Sequence, residues 1–258
     1  MSIIETSFEG GVATVTLNRP ERRNALNGEL TRALRQTMAD TDGRDDVSVI
    51  VLTGADPAFC AGVDLKELGS GRRGSVTVSG VGRSGAARPW ERTVKPVIGA
   101  INGAAITGGL ELALQCDFLV ASERAVFADT HSRVGILPGW GLTVLLPQAV
   151  GLRRAKEMSL TGNFVSAEVA LAWGLVNHVI PHDELLPFAR KLAADISGND
   201  QRSARRMLAE YDEVTSTTIA EGLEIEARIA TEWNGDGSAA SDVERRRQAI
   251  IERGRSQV

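Results

Sequence analysis

The chain of 258 residues is 43% apolar and 24% charged, the makeup of a soluble globular protein whose core needs neither disulfides nor structural metal. A formal net charge of −4 argues against a dedicated nucleic-acid binder, and 4% aromatic residues argue against a base-stacking platform. No apolar run approaches the roughly 20 residues of a membrane span, the start MSIIETSFEGG lacks the features of a secretory leader, and Cys60 and Cys116 give no disulfide framework, so a cytoplasmic protein is expected.

Ile3-Ile4 and the alternating Val12-Ala13-Thr14-Val15-Thr16-Leu17, separated by Glu9-Gly10-Gly11, read as a β-hairpin. Asn27 is placed to cap a helix with Leu30, Leu34 and Met38 on its apolar face, ending near Gly43. Val47 to Leu52 is an apolar, β-branched run, the mark of a strand buried on both faces. Val97 to Ile101 is a second such run. Leu110, Leu112, Ala113 and Leu114 follow on a helix, and Phe118-Leu119-Val120 is a third strand. This alternation, to about residue 180, favours an α/β layer architecture.

Beyond Pro181 the pattern changes. Residues 182–197, 203–232 and 239–253 read as helices with no strand between them. The chain therefore divides into an α/β core over 1–195 and a helical region over 196–258. The stretch Asp242-Val243-Glu244-Arg245-Arg246-Arg247 is charged on most sides: a solvated face, or a subunit contact or phosphate site.

Some patterns resemble chemistry without supporting it. Residues 69–88 are rich in glycine and arginine and read as a mobile functional loop or a disordered one. Within them Gly80-Val81-Gly82-Arg83-Ser84-Gly85 is a literal G-x-G-x-x-G, but Pro89 interrupts any following helix and no acid stands about 20 positions on. His178 and His182 are separated by Val179-Ile180-Pro181, which cannot present both rings on one helical face, so they read as surface histidines rather than metal ligands. No phosphate-binding Gly-Lys-Ser/Thr loop and no G-x-S-x-G elbow occurs.

Two segments carry more. In Ala58-Phe59-Cys60-Ala61-Gly62-Val63-Asp64-Leu65-Lys66-Glu67, Asp64 falls near the start of a short helix, and the Ala-Gly-Val turn before it can leave backbone N–H groups free. Taken alone, this is equally a capped turn. In Asn102-Gly103-Ala104-Ala105-Ile106-Thr107-Gly108-Gly109-Leu110-Glu111, a buried strand runs through a glycine pair into a helix. Gly108 permits close approach of a ligand to the backbone. Glu111, in the first turn, is either a solvent-facing carboxylate favoured by the helix dipole or one facing a pocket for acid–base work. Together the two loops could aim two N–H groups at one oxygen.

At these residues the chain resembles the crotonase family, the enoyl-CoA hydratases and isomerases. AFCAGVDLKE, INGAAITGGLELA, FADTHSRVGILPGWG, the start NRPERRNALN and LTGNFVSAEVALAWGLVNHVI carry the resemblance, in order, over roughly residues 3 to 235. It implies a spiral of β-β-α turns followed by helices that form trimers, often stacked as hexamers. It also implies an acyl-CoA thioester as substrate, with no metal or redox cofactor. The N–H groups of Val63 and Gly108 would hold the thioester oxygen. Ala25, Leu26, Val63, Asp64, Leu65 and Lys66 would border the CoA.

Glu111 matches the first of two glutamates that share the catalytic water in the hydratases. The second falls at His131, so the chain departs from the pattern there. Imidazole can do acid–base work near neutral pH, or His131 is a structural hydrogen-bonding residue. The family's variable lid falls at residues 69–88. Gly139 offers no side chain where other members carry an acid, Trp140 reads as pocket wall, and Cys60 as packing. The implied reaction is hydration of a 2-enoyl-CoA to a 3-hydroxyacyl-CoA, a carbon–oxygen lyase. The alternatives are isomerisation, hydrolysis or decarboxylation on the same enolate logic, or acyl-CoA binding without turnover.

Overall fold

The computed structural model describes residues 2–69, 88–235 and 238–256. The glycine- and arginine-rich stretch, with its G-x-G-x-x-G at 80–85, lies almost wholly outside them. The chain forms two compact units, Met1–Ala204 and Arg205–Val258.

The first unit opens with the expected hairpin, β1 (Ile4–Glu9) paired antiparallel with β2 (Val12–Leu17). Helix α1 (Gly28–Asp42) follows, and the Asn27 side chain accepts the Leu30 N–H at 2.8 Å, as its capping position predicts. Then come β3 (Val49–Gly54), α2 (Leu65–Gly69), β4 (Val97–Ile101), β5 (Ala104–Ile106), α3 (Gly108–Ala113), β6 (Phe118–Ser122), β7 (Val126–Ala128) and α4 (His131–Val134). The unit continues through α5 (Leu142–Val150), α6 (Leu152–Thr161), β8 (Val165–Ser166), α7 (Ala167–Trp173), β9 (His178–Ile180) and α8 (Leu185–Ser197). Strand β3 begins two residues later than its apolar run suggests and carries on to Gly54.

The larger sheet has the order β1-β2-β3-β4-β6-β9 and is parallel from β2 onward. A smaller sheet, β5-β7-β8, stands apart from it, and Cys60 bridges to Ala105 at its edge. Three successive passages therefore repeat one form. A strand of the larger sheet leads to a segment of the smaller one and then to a short helix: β3–Cys60–α2, β4–β5–α3 and β6–β7–α4. The repeat is structural; no sequence repeat announces it. It is the spiral of β-β-α turns that the motifs imply.

Both faces of the larger sheet are covered, which explains its continuous apolar strands. Ile50 and Leu52 join Val15, Leu17 and Phe59 in one core, while Val49 and Val51 meet Ile98, Ala100, Leu185 and Ala189 in a second core on the α8 side. Each such buried aliphatic side chain contributes roughly 1.5–3 kcal/mol.

The second unit continues α9 (Gln201–Val214) and holds α10 (Ile219–Gly235) and α11 (Ser238–Ser256). The single helix expected over 203–232 is in fact two. Thr218 Oγ1 accepts the Glu221 N–H (3.3 Å), and Glu221 accepts the Thr218 N–H (3.0 Å), a reciprocal capping box that starts a new helix. The helix expected from residue 182 begins as a single tighter turn over His182–Glu184.

Candidate active site

Three backbone segments meet at the site. The first is a turn in which Arg23 and Asn24 both take positive φ (50° and 55°). Buried Asn24 holds it, accepting the Arg19 N–H (2.8 Å) and donating to the carbonyls of Ala55 (2.8 Å) and Ala58 (2.6 Å). The turn lays Ala25 and Leu26 along the second segment: the Leu26 N–H donates to Gly62 O (2.7 Å) and the Asp64 N–H to Leu26 O (2.9 Å). Arg19 braces both strands, donating to Ala25 O (2.5 Å) and pairing with Asp64 (3.4 Å). Asp64 also accepts the Lys66 N–H (3.1 Å) at the start of α2, where Leu65 and Lys66 are exposed.

The third segment is β5 and the start of α3. Gly109 packs so closely on the second segment that a Cβ there would lie 2.1 Å from Cys60 O. The contact brings Gly62 and Val63 to Gly108. A Cβ on Gly62 would stand 3.6 Å from Gly108 N, and one on Gly108 would stand 3.7 Å from Val63 Cγ2. Neither the Val63 N–H nor the Gly108 N–H has a partner among the described residues. Two adjacent free donors are costly unless something accepts from them. Thr107, just before them, holds φ 55° and ψ −109°, a conformation worth about 1–3 kcal/mol of strain. Its N–H donates to Ala128 O (2.8 Å), and its Oγ1 accepts the Thr130 N–H (3.1 Å), tying this turn to the residue before His131.

Glu111 is 4% exposed, so its side chain faces inward rather than to solvent. Its Oε1 accepts two backbone N–H groups, from Gly139 (3.0 Å) and Trp140 (2.7 Å). Its Oε2 faces His131 Nε2 across 3.6 Å, too far for a direct hydrogen bond. On the other side of the ring, His131 Nδ1 lies 2.6 Å from Asp129 Oδ1, which also accepts the His131 N–H (3.1 Å).

Burial alone would disfavour a charged imidazole, but the Asp129 and Glu111 carboxylates outweigh it and push the His131 pKa up to about 9. Asp129 responds in the opposite sense: burial opposes its charge, but hydrogen bonds from His131 and Ser159 hold it below the usual carboxylate range.

Three contributions were not read from the sequence. Asp129 stands two residues before His131, a spacing that lets one carboxylate hold both the ring and the backbone of the same histidine. Gly139 and Trp140 act on Glu111 through backbone N–H groups, which side-chain identity does not reveal. Thr107 and Thr130 couple the two halves of the site through their hydroxyls (2.5 Å apart). Cys60 is packing, as expected: burial pushes its thiol up to about 12. Trp140 is buried in the core, and its Nε1 has no partner among the described residues. Among the described residues no group of three side chains is arranged to hold a metal ion.

Comparison with known proteins agrees with this architecture. A family model described as enoyl-CoA hydratase/isomerase matches residues 7–255. A relative from Arabidopsis thaliana named "Probable enoyl-CoA hydratase 1, peroxisomal" is 40% identical over 221 residues, covering 86% of this chain and 82% of its own length. Crystal structures of enoyl-CoA hydratases are similar throughout. That from Mycobacterium smegmatis is 47% identical with a TM-score of 0.76, covering 92% of this chain and 100% of its own. That from Bacillus anthracis is 32% identical with a TM-score of 0.82, covering 94% and 97%. The chain belongs to the enoyl-CoA hydratase/isomerase family, and its fold is the crotonase spiral.

Proposed function

We propose that the protein is an enoyl-CoA hydratase, a carbon–oxygen lyase that adds water to a 2-enoyl-CoA thioester to give a 3-hydroxyacyl-CoA. The observation that carries this reading is the 3.6 Å gap between Glu111 Oε2 and His131 Nε2, taken with the Val63 and Gly108 N–H groups, which have no partner among the described residues. Two atoms that far apart can both hydrogen-bond to one water oxygen. Glu111, its other oxygen held by two N–H groups, takes a proton from that water as the oxygen bonds to Cβ. The C=C electrons move to form an enolate, whose charge collects on the thioester oxygen. Donors already in place at Val63 and Gly108 stabilise that charge without reorganising. The imidazolium of His131 then protonates Cα through Nε2. Proton transfer from Glu111 to His131, relayed by the next water to enter the gap, returns both groups to their starting states.

Ala25, Leu26, Val63, Asp64, Leu65 and Lys66 line the path proposed for the CoA. No metal or redox cofactor enters the scheme, since coenzyme A belongs to the substrate. The test is the loss of crotonyl-CoA absorbance on addition of the protein. Turnover to 3-hydroxybutyryl-CoA supports the reading. Tight binding with no turnover would make the protein an acyl-CoA binder, and another product would assign a different reaction on the same enolate.

The helical region over 196–258 is proposed to build a homotrimer, or a hexamer of two trimers. Met207, Tyr211, Ile219 and Leu223 are 56%, 68%, 86% and 62% exposed, more apolar surface than short helices leave uncovered in a monomer. Ile229 in α10, by contrast, is buried. Light scattering at micromolar concentration checks this; a monomer would refute it.

A further inference from the structure

We propose that Asp129 is a positioning residue that fixes His131 as an Nδ1-bonded imidazolium with Nε2 alone turned to the reacting atoms. The proposal deepens the hydratase reading and names a group outside the pair that does the chemistry. It rests on geometry. One oxygen of Asp129, a residue 1% exposed, receives both the His131 ring (2.6 Å) and the His131 backbone N–H (3.1 Å). Two bonds to one residue set the ring's rotation as well as its place. With Nδ1 committed, the free nitrogen must be Nε2, and Nε2 is the atom that faces Glu111.

The surroundings leave Asp129 and Glu111 as the charges acting on this ring. On α4, Arg133 turns away, donating to Thr161 O (3.1 Å) and Asn163 Oδ1 (2.9 Å). On α6, which packs against α4, Arg153, Arg154, Lys156 and Glu157 are exposed, while Ser159 hydrogen-bonds to Asp129. A histidine in the place of a glutamate brings a positive charge where a carboxylate would have been negative or neutral. The buried Asp129 carboxylate compensates it and favours the protonated ring. Without Asp129, the ring would lose one of its two counter-charges, and its tautomer would be unfixed.

The ordinary alternative is that Asp129 only caps the start of α4, accepting an N–H as acidic residues do there. The two roles separate in the histidine's titration. The chain has three histidines, so the ring signals of His131 are assigned by difference from His131→Gln. We expect nitrogen NMR of the unliganded protein to show His131 charged through neutral pH, with a bonded Nδ1–H. In Asp129→Asn, which keeps an acceptor oxygen and loses the charge, the midpoint should fall by at least about one pH unit, a tenfold change in proton affinity. Hydration kcat/KM should fall by roughly 10²–10⁴-fold, the range set by general acid–base catalysis, while KM for crotonyl-CoA changes little.

A wild-type ring that titrates near 6.5, or a midpoint unmoved in Asp129→Asn, overturns the proposal, and the wild-type titration decides even where the variant fails to fold. A fall in thermal stability with the titration unmoved would make Asp129 a helix cap. Should the titration behave as expected in a protein that hydrates no enoyl-CoA, the positioning stands and the hydratase reading falls.

Discussion

His131 and His182 sit in similar rows of polar groups with opposite surroundings. His182 Nδ1 lies 3.0 Å from Ser122 Oγ, and its Nε2 lies 3.2 Å from Asp56 Oδ2. By residue type this serine–histidine–aspartate row looks more like a nucleophilic site than the acid–histidine–acid row around His131. Physically, its serine end is closed. Ser122 is fully buried at the end of β6, and its Oγ already accepts the Arg124 N–H (3.0 Å). Asp56 is also taken up by the Asn102 amide (2.8 Å), so the row is a saturated tie between loops.

Around His131 the saturation stops one step short. Asp129 and the backbone of Gly139 and Trp140 fill one side of each partner, leaving Glu111 Oε2 and His131 Nε2 facing each other across a gap. The N–H groups of Val63 and Gly108, the latter at the start of the helix that carries Glu111, have no partner among the described residues. Reactivity follows from the contacts left unmade in a buried place, not from the residue types.

That contrast can be broken at several points. The largest effect is expected from Glu111→Gln, which keeps the shape and one acceptor oxygen but cannot take a proton. Crotonyl-CoA hydration should fall toward the upper end of roughly 10²–10⁴-fold. A variant within threefold of the parent would remove Glu111 from the chemistry. Next comes the Gly108 N–H. Proline is the wrong probe, because it forces extended ψ on the residue before it and Thr107 holds ψ −109°. An ester in place of the amide at position 108 deletes the donor without adding atoms. It should lower kcat roughly 10²-fold or more, and unchanged kcat would refute the oxyanion assignment. The smallest effect is expected at the other row. Ser122→Ala should leave kcat/KM unchanged and cost about 1 kcal/mol, read as a fall of a few degrees in Tm. A tenfold fall in kcat/KM with Tm held would overturn the comparison.

Much of the scaffold was legible. Alternation in Val12–Leu17, the Asn27 cap and the β-branched run before Gly54 describe elements whose local preference agrees with their tertiary setting. The smaller sheet was not, because strands of two or three residues such as β5, β7 and β8 carry no readable period. The split near Thr218 had a signal, Thr-x-x-Glu, within a run of otherwise helical pattern. At the site, Gly108, Glu111 and His131 could be singled out by motif, but the inward turn of Glu111 depends on backbone donors at 139 and 140, 28 and 29 residues away in a loop. The strength of His131 as a base depends on two carboxylates reaching it from different elements. Sequence supplies one of them by proximity, as Asp129.

The pH dependence of hydration tests the account most directly. His131 titrates at about 9 instead of 6.5 in the folded state, so it is the charged acid throughout the neutral range and loses its proton as pH rises through 9. By linkage, its pairing stabilises the fold fully below 6.5, and that contribution is lost as pH rises through about 9. Measured with crotonyl-CoA from about pH 6 to 10, wild-type kcat/KM should hold level across neutrality and decline on an alkaline limb near pH 9. His131→Gln should be roughly 10²–10⁴-fold slower and lack that limb. If His131→Gln matches the wild type in rate and shares its limb, the histidine is pocket wall and the proton must come from elsewhere.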